Sequence, residues 1–444
     1  MVGKDRALGV IEQALRLSPG DQTEVSLMVT DSSLTRFSSN YIHQNVAERD
    51  AQLAVKVILG KKIGVATTNS LDDAAIAKTV QDAAGIARLQ RENADFRTLP
   101  GPRPLLELSC FMPATAAFTP NDRADAAAII VNAAKAGGFE AAGSVSTTVR
   151  EMAVGNSLGV RAYNPVTGAG VNTVVMSASS SGYAHGNARD VTTLDFSAIA
   201  RRAVDKCARS VKSETVEPGE YEVILEPAAA ASVLSYVAML GFSALAAQEG
   251  RSFLAGKLGE KVFGENITVW DDGLDPRGMP IPFDGEGQPK RKLMLVENGV
   301  AQNLVYDSFT AHKEGKESTG HASPGRFGFG PVPGNLFFAP GQASVEEMIK
   351  ATKRGILVTR FHYTNPLHPL RVVVTGMTRD GTFLVEDGRI KSAVKNLRFT
   401  DSMIRTLNHV DMIGEWSLEG SMGFGGMVPA LKISKFAFSG VTEF

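Results

Sequence analysis

The chain has 444 residues, of which 43% are hydrophobic and 21% are charged, and its 46 basic and 47 acidic residues leave a net charge of -1. This balance excludes a polybasic surface, so nucleic acid is not expected as a partner. The two cysteines, Cys110 and Cys207, are too few and too far apart for a disulfide framework, which favours a reducing, cytoplasmic setting.

The first half of the chain predicts a helix followed by several antiparallel strands. Apolar Leu8, Ile11 and Leu15 recur at helical spacing among charged residues. Residues 4–17 are therefore predicted to form an amphipathic helix, and they lack the uninterrupted apolar core of a signal peptide. The strand-like runs of this half lie at 24–30, 34–39, 52–60 and 63–68, and again at 145–155, 160–165, 170–179 and 181–190.

The order of helix, strands and helix is repeated within this half. A second helix begins at an acidic cap around Asp72, and a further helix at 121–136 precedes the second group of strands. We therefore predict an N-terminal α+β domain of residues 1–214, in which residues 1–95 are duplicated as 120–212.

The segment from Pro227 to Gln248 contains no charged side chain. A stretch of this kind is buried, either in the core of the protein or in a membrane. It is rich in Ala and Ser, contains Gly241 and has no basic cluster at either end, so no membrane span is expected. The sequence predicts a buried helix, or two helices broken near Gly241.

From about residue 265 the chain consists of short strands separated by turns. The signals for hairpin turns are Glu297-Asn298-Gly299, Arg379-Asp380-Gly381 and Glu386-Asp387-Gly388. The segment His321–Gly334 is rich in Gly and Pro and is predicted to be a loop. Residues 215–444 are thus predicted to form a mainly antiparallel β domain, barrel-like or sandwich-like with buried helices, and the fold class is α+β with two domains.

Metal-binding patterns are missing from the sequence. No HExxH string occurs, and no two histidines lie four residues apart on one helix face. The histidines are His43, His185, His312, His321, His362, His368 and His409. We therefore expect no metal in this chain.

Two further motifs were weighed for phosphate binding and for nucleophilic catalysis. The glycine-rich runs 325–334 and 420–426 have the composition of a phosphate cradle, but the first contains prolines, which lack the N–H donors that a cradle needs. Tight backbone turns explain both runs better. Ser318 and His321 place a hydroxyl near an imidazole, and no G-x-S-x-G elbow accompanies them.

Four segments, in order along the chain, resemble those of the TldD/PmbA family, also called TldD/TldE. The segment Val374–Ile390 is similar to the family's TG-x-TRDG-x-F-x-I-E-x-G-x-I hairpin. The other three segments are Glu217–Val223, Val296–Gly299 with Tyr306–Ala311 and Ser318–His321, and Pro429–Ile433. The resemblance spans residues 217 to 440 and implies a two-domain α+β fold and a dimer that encloses a peptide-processing chamber.

The resemblance also locates the positions that carry zinc in TldD-type members. Those members have HExxxH on a helix and a cysteine near the C-terminus as the third ligand. The corresponding positions here are Gly241, Phe242 and Ala246, and no cysteine follows Cys207. None of these side chains can bind zinc or act as a general base, so the chain resembles the PmbA/TldE side of the family.

This resemblance implies a cytoplasmic subunit that binds no metal and works with a zinc-bearing TldD-like subunit on peptides or small unfolded proteins. Zinc is expected only in that partner, and a homodimer is the alternative to the heterodimer. Thr319, His321, Arg379 and Asp380 are the candidates for residues of the substrate channel or the interface.

Two other functions stay open at this point. One is a homodimeric module that captures peptides without cleaving them. The other is a hydrolase that uses no metal and relies on Ser318 and His321.

Overall fold

The computed structural model describes residues 1–323, 330–421 and 424–442. Within these ranges the helices are α1 (Lys4–Leu17), α2 (Asp73–Leu89), α3 (Pro113–Ala116), α4 (Pro120–Ala136), α5 (Phe196–Arg209), α6 (Pro227–Gly241), α7 (Ala244–Gln248), α8 (Ser308–Lys313), α9 (Val345–Lys350) and α10 (Met403–Leu407). Short 3₁₀ turns lie at Val191–Thr193 and Pro369–Arg371. The helices of the first half are the longer ones.

The strands fall into two sheets, one from each half of the described chain. Those of the first half are β1 (Gln22–Ser38), β2 (Tyr41–Leu59), β3 (Lys62–Thr68), β4 (Glu140–Asn156), β5 (Arg161–Met176) and β6 (Ser181–Ala188). Those of the second half are β7 (Gly219–Leu225), β8 (Val269–Asp272), β9 (Lys292–Glu297), β10 (Val300–Ala301), β11 (Asn335–Phe338), β12 (Arg354–His368), β13 (Val373–Glu386), β14 (Arg389–Ala393), β15 (Leu397–Ser402), β16 (Val410–Ser421) and β17 (Phe424–Val441). The α+β class predicted from the sequence is confirmed.

The N-terminal sheet has the strand order β3-β2-β1-β4-β5-β6, with antiparallel pairing throughout. On one face of β1, Val25, Leu27 and Val29 pack against α1 and α2. Residues on the opposite face alternate with these, so Glu24 of β1 and its cross-strand partner Lys56 of β2 lie on the face away from the helices. The prediction of separate runs at 24–30 and 34–39 was wrong, because the polar residues between them stay in the ladder with β2 and β4.

Part of the C-terminal sheet closes on itself. The order β17-β15-β13-β12-β7 is completed by a further pairing of β17 with β7, which forms a ring of strands. The remaining strands extend from β17 through β11, β8, β9 and β10. Helix α6 packs against β12, β16 and β17, so the uncharged segment lies in the centre of this half. The barrel-like core predicted from the sequence is confirmed.

Two of the three predicted hairpin turns are present. Asn298 and Gly299, and Asp387 and Gly388, have positive φ angles and connect paired strands, as type I′ turns require. The prediction of a turn at Asp380 was wrong. Asp380 (φ 56°) and its following glycine lie inside the continuous strand β13, where the register with β12 shifts, so the same dipeptide forms a bulge.

The boundary between residues 214 and 215 and the internal duplication stay predictions. The predicted loop at 321–334 falls partly on residues 324–329, which lie outside the described residues, as do residues 422 and 423 of the glycine run 420–426. Among the helices that are described, none combines the length and the apolar character needed to cross a membrane.

Candidate functional site

The uncharged segment is two helices with a break between them. Proline at the first position of α6 suits a helix start, because its missing N–H is not needed there. Helix α6 ends at Gly241, and Ser243 then forms a parallel β-bridge with Val305 before α7 begins. The sequence alternative of two helices broken near Gly241 is therefore the one adopted.

The three positions that correspond to the zinc motif are filled by apolar packing. A Cβ atom on Gly241 would lie 2.2 Å from Cε1 of Phe253, so the ring occupies the space that a side chain would need. Phe242 is fully buried and Ala246 is 7% exposed. These positions carry no nitrogen, oxygen or sulfur side-chain atom, and the break at Ser243 places them on different helices. The residues present do not fit a zinc ion.

A cavity of about 430 Å³ lies beside α7, between the N-terminal sheet and the C-terminal half. Leu245 of α7 and Glu249, which follows this helix, line it on one side, and Glu24 and Lys56 line it from the N-terminal sheet. Glu286 also lines it from the C-terminal half. Charged side chains thus surround a cavity next to the helix that in TldD-type sequences holds the metal.

Four side chains of this cavity form two hydrogen-bonded pairs, Glu24 with Lys56 and Glu286 with Ser308. We call these four residues the cavity cluster. The ammonium of Lys56 lies 2.9 Å from Oε1 of Glu24. Glu286 accepts the backbone N–H of Ser308 at Oε2 (3.0 Å) and lies 2.7 Å from the Ser308 hydroxyl at Oε1. Among the described residues, Oε2 of Glu24 is buried and has no hydrogen-bond partner.

Burial and neighbouring charges shift the pKa values in the cavity cluster. Burial raises the pKa of Glu286 well above its ordinary value, and the negative charges of Glu24 and Asp284 raise it further. Burial also raises the pKa of Asp284 to about 6. Burial opposes the charge on Lys56, but Glu24 and Glu286 outweigh it and raise the pKa of Lys56. Lys56 is therefore charged at neutral pH, and the protonated form of Glu286 is favoured more than that of an ordinary glutamate.

His321 lies in a second buried centre, which we call the Asp271–His321 network. Its Nε2 is 2.9 Å from Oδ1 of Asp271, and its Nδ1 is 2.9 Å from the Thr319 hydroxyl. The other oxygen of Asp271 accepts the backbone N–H groups of Gly334 and Asn335. All three side chains that define the network are buried.

The protonation of this network follows from its surroundings. Burial and the charge of Lys290 lower the pKa of His321, so the imidazole is neutral at neutral pH. Burial opposes ionisation of Asp271, but His321, Lys290 and the hydrogen bonds it accepts lower its pKa to about 2. The arrangement that satisfies every atom has Nε2–H donating to Asp271 and Nδ1 accepting from Thr319.

The geometry argues against catalysis by Ser318 and His321. The Ser318 hydroxyl donates to the carbonyl of Tyr306 and makes no hydrogen bond to the imidazole. The hydroxyl that does reach His321 belongs to Thr319, which also accepts the backbone N–H of Tyr306. This centre holds the loop after α8 in place, and it presents no exposed nucleophile.

Arg379 and Asp380 lie at the contact between the two halves of the chain. Arg360 pairs with the carboxylate of Asp380, and its guanidinium lies 4.2 Å from the ring centroid of Tyr183 in β6. Arg379 is half-exposed at a second cavity of about 580 Å³ that includes Ser177 of the N-terminal half. The roles of Thr319, His321, Arg379 and Asp380 in a channel or an interface stay predictions.

Comparison with known families identifies the family to which the chain belongs. Residues 218–440 match the family model of the PmbA/TldA metallopeptidase C-terminal domain. Residues 23–87 match domain 1 and residues 116–211 match the central domain of the same metallopeptidases. The chain belongs to the TldD/PmbA family of metallopeptidases. The resemblance drawn from the four sequence segments is confirmed.

Individual relatives of the TldD/PmbA family match part of the chain. An uncharacterised protein of Methanocaldococcus jannaschii is 45% identical over 132 residues, which are 30% of this chain and 32% of that protein. A metalloprotease of Methanothermobacter thermautotrophicus is 28% identical over 226 residues, 50% of this chain and 48% of that protein. The matches thus span between a third and a half of these curated relatives.

The fold also matches solved structures. The crystal structure of TldE from Thermococcus kodakarensis has a TM-score of 0.88 at 24% identity and covers 97% of this chain and 100% of that one. At this identity the similarity establishes the TldD/PmbA fold.

The cavity cluster was missed at the level of sequence, although weak signals for it exist. Glu24 and Lys56 interrupt otherwise apolar strands, in TEVSLMV and AVKVI, at positions that face away from the helices. A charge in such a strand is unusual unless it is paired. Glu286 comes from an irregular segment with no periodicity, so only the folded chain brings it to the cavity.

Proposed function

We propose that this chain is the zinc-free subunit of a TldD/TldE-type metallopeptidase complex that processes peptides or small unfolded proteins. The observation that carries the proposal is the apolar filling of Gly241, Phe242 and Ala246, where TldD-type sequences have HExxxH. A zinc-bearing TldD-like subunit supplies the hydrolysis, and the pair works in the cytoplasm. This chain completes the dimer and shapes the substrate channel.

An exposed apolar segment supports association with a partner. Tyr363 is 75% exposed, Leu367 is 58% exposed and Leu370 is 48% exposed, and all three lie around the end of β12. Large apolar side chains that cluster on a surface are typical of protein contacts. Their removal is expected to weaken the pair and to leave the folded chain intact.

An unpaired strand edge supports the binding of extended peptides. Strand β2 pairs with β1 over its whole length, but its pairing with β3 covers only Leu53–Leu59. Its first part therefore has an edge with no neighbouring strand among the described residues, and Tyr41 there is 61% exposed. Such an edge can take an additional strand through main-chain hydrogen bonds.

The proposal is tested by co-expression of this chain with the HExxxH-bearing relative from the same organism. Zinc content and cleavage of a disordered peptide are measured for each chain and for the pair. We expect stoichiometric zinc in the relative and in the pair, little in this chain, and cleavage that is strongest in the pair. The control is a pair in which the glutamate of the relative's HExxxH is replaced by glutamine, which should keep the complex and lose cleavage.

The double variant Tyr363→Ser/Leu367→Ser tests the exposed apolar segment. It should reduce pairing in size-exclusion chromatography, whereas Leu89→Ser, at an exposed leucine on α2, should not. Stoichiometric zinc and peptide cleavage by this chain alone would refute the proposal. A stable homodimer that binds peptide and does not associate with the HExxxH-bearing relative would instead support the homodimeric binding module.

A further inference from the structure

The cavity cluster contains a buried carboxylate oxygen, Oε2 of Glu24, that has no hydrogen-bond partner among the described residues. The Glu24 side chain is 0% exposed, and one of its oxygens pairs with Lys56 while the other has no hydrogen-bond partner among the described residues. Buried carboxylate oxygens in native proteins are almost always hydrogen-bonded. An unsatisfied oxygen on a residue that lines a cavity of about 430 Å³ indicates a place for a donor that is supplied from outside the chain.

The described residues that line the cavity also include more acidic than basic side chains. The charged and titratable side chains among its described lining residues are Glu24, Lys56, Arg97, Glu249, Glu286, Asp307 and His312. Burial and Arg97 lower the pKa of His312, so the bases that carry charge there are Lys56 and Arg97. Four carboxyl groups thus face two cations, and burial together with the charges of Glu24 and Asp284 raises the pKa of Glu286. A bound cation would offset the excess of acidic groups.

The chemistry of the cluster favours an organic cation over a metal ion. Within the described residues, no group of three or more His, Cys, Asp or Glu side chains is arranged to hold a metal. A primary ammonium needs fewer fixed ligands, since it donates three hydrogen bonds to separate acceptors. The cavity is large enough for a side chain or for the first residues of a peptide.

We propose that this cavity binds a primary ammonium group of a peptide, either the amino terminus or a lysine side chain, through the carboxylates of Glu24 and Glu286. On binding, the ammonium keeps its three protons, and its charge lowers the pKa of Glu286, so that the Glu286 carboxyl loses protons to solvent. The charge-assisted hydrogen bonds that result are stronger than neutral ones. The proposal rests on the proposed function only for the choice of peptides as ligands.

Isothermal titration calorimetry on the full chain alone tests this proposal. The probes are triglycine amide, which has a free α-ammonium, and Nα-acetyl-lysine amide, which has only the side-chain ammonium. Nα-acetyl-triglycine amide is the neutral control. We expect one or both ammonium probes to bind, with proton release detected when buffers of different ionisation enthalpy are compared at pH 7, and no binding of the neutral probe.

Variants assign the binding to the cavity. Glu24→Gln and Glu286→Gln should each weaken binding by roughly tenfold or more, and Glu286→Gln should also abolish proton release. The matched control is Glu140→Gln, an exposed carboxylate on β4 of the same sheet and away from the cavity, which should bind as the wild type does. Should Glu24→Gln fail to fold by circular dichroism, Glu286→Gln carries the test, because glutamine is isosteric with the protonated carboxyl that burial favours at this position.

Three results would overturn the proposal: equal binding of the acetylated control, no binding of either ammonium probe, or proton-releasing binding of Mg²⁺ or Zn²⁺ in place of the amines. Preference for one ammonium probe over the other identifies the source of the group. Because binding is measured on this chain alone, the absence of cleavage by the pair would refute the proposed function and leave this result standing.

Discussion

The Asp271–His321 network and the cavity cluster are both buried and both contain carboxyl groups, but they differ in whether their polar atoms have hydrogen-bond partners. In the network, both oxygens of Asp271 and both ring nitrogens of His321 have partners. In the cavity cluster, Oε2 of Glu24 has none among the described residues, and burial raises the pKa of Glu286. The hydrogen bonds of the Asp271–His321 network are thus all made, whereas the cavity cluster lacks a hydrogen-bond donor to Glu24 among the described residues.

This difference separates a structural role from a binding role. A satisfied buried network contributes stability and fixes a unique backbone arrangement, here that of the segments around Thr319 and Gly334. A buried cluster with an unsatisfied oxygen costs free energy of folding unless something compensates for it. Such a cost is typical of sites that are kept for a ligand.

The largest effect is expected from breaking the complete network. Asp271→Ala removes the acceptor for the buried His321 and for the backbone N–H groups of Gly334 and Asn335. We expect a loss of about 3–5 kcal/mol in the free energy of unfolding, measured by urea denaturation. Glu265→Ala, which removes an exposed ion pair with Lys261, is the control and should change little. A loss for Asp271→Ala that does not exceed the control would show that the network is not a structural centre.

The second prediction concerns the pH dependence of the cavity cluster. Because the pKa of Glu286 is higher in the folded chain than in the unfolded one, the folded state binds the extra proton. Its contribution to stability is complete below the unfolded pKa and is lost as the pH rises through the folded pKa. Glu286→Gln mimics the protonated group, so its stability should fall less than that of the wild type between pH 5 and pH 8.

This comparison is made by urea denaturation at both pH values. The lowered pKa of His321 acts in the opposite direction, since stability is lost as the pH falls below its ordinary value, and it is the same in both proteins. The difference between wild type and variant therefore reports on Glu286 together with its neighbour Asp284, whose pKa of about 6 lies in the same pH range. Glu140→Gln should follow the wild type. Identical pH profiles for Glu286→Gln and the wild type would show that Glu286 is ionised in the folded chain.

The sequence predicted those features of the fold that depend on local pattern. The break near Gly241 followed from a glycine in an apolar run, and the turn at Asn298-Gly299 followed from its dipeptide. The same reasoning failed at Asp380-Gly381, because positive φ angles serve a bulge as well as a turn. The Asp-Gly dipeptide specifies positive φ angles at these two residues. Pairing of β13 with β12 determines that they form a bulge and not a turn.

The sites were less predictable, because they depend on contacts between distant segments. The sequence offers Ser318 as the partner of His321, whereas the folded chain brings the hydroxyl of Thr319 to the imidazole through a bend at Gly320. Glu24 and Glu286 lie in different halves of the chain, and no motif connects them. A charged residue in each of two adjacent apolar strands was the available signal, and it indicated a buried pair without indicating the cavity beside it.

The smallest effects come from removing one hydroxyl in each centre. Thr319→Val keeps the shape of the side chain but leaves the N–H of Tyr306 and a nitrogen of His321 without partners, so we expect a loss of about 1–3 kcal/mol in the free energy of unfolding. Ser308→Ala removes one hydrogen bond to Glu286, which still accepts the backbone N–H of Ser308. Its cost should be about 0.5–1 kcal/mol in urea denaturation at pH 7. Equal losses in the free energy of unfolding for Thr319→Val and Ser308→Ala would mean that the hydroxyls of both centres contribute equally to stability. The distinction between a structural network and a ligand-binding cluster would then be wrong.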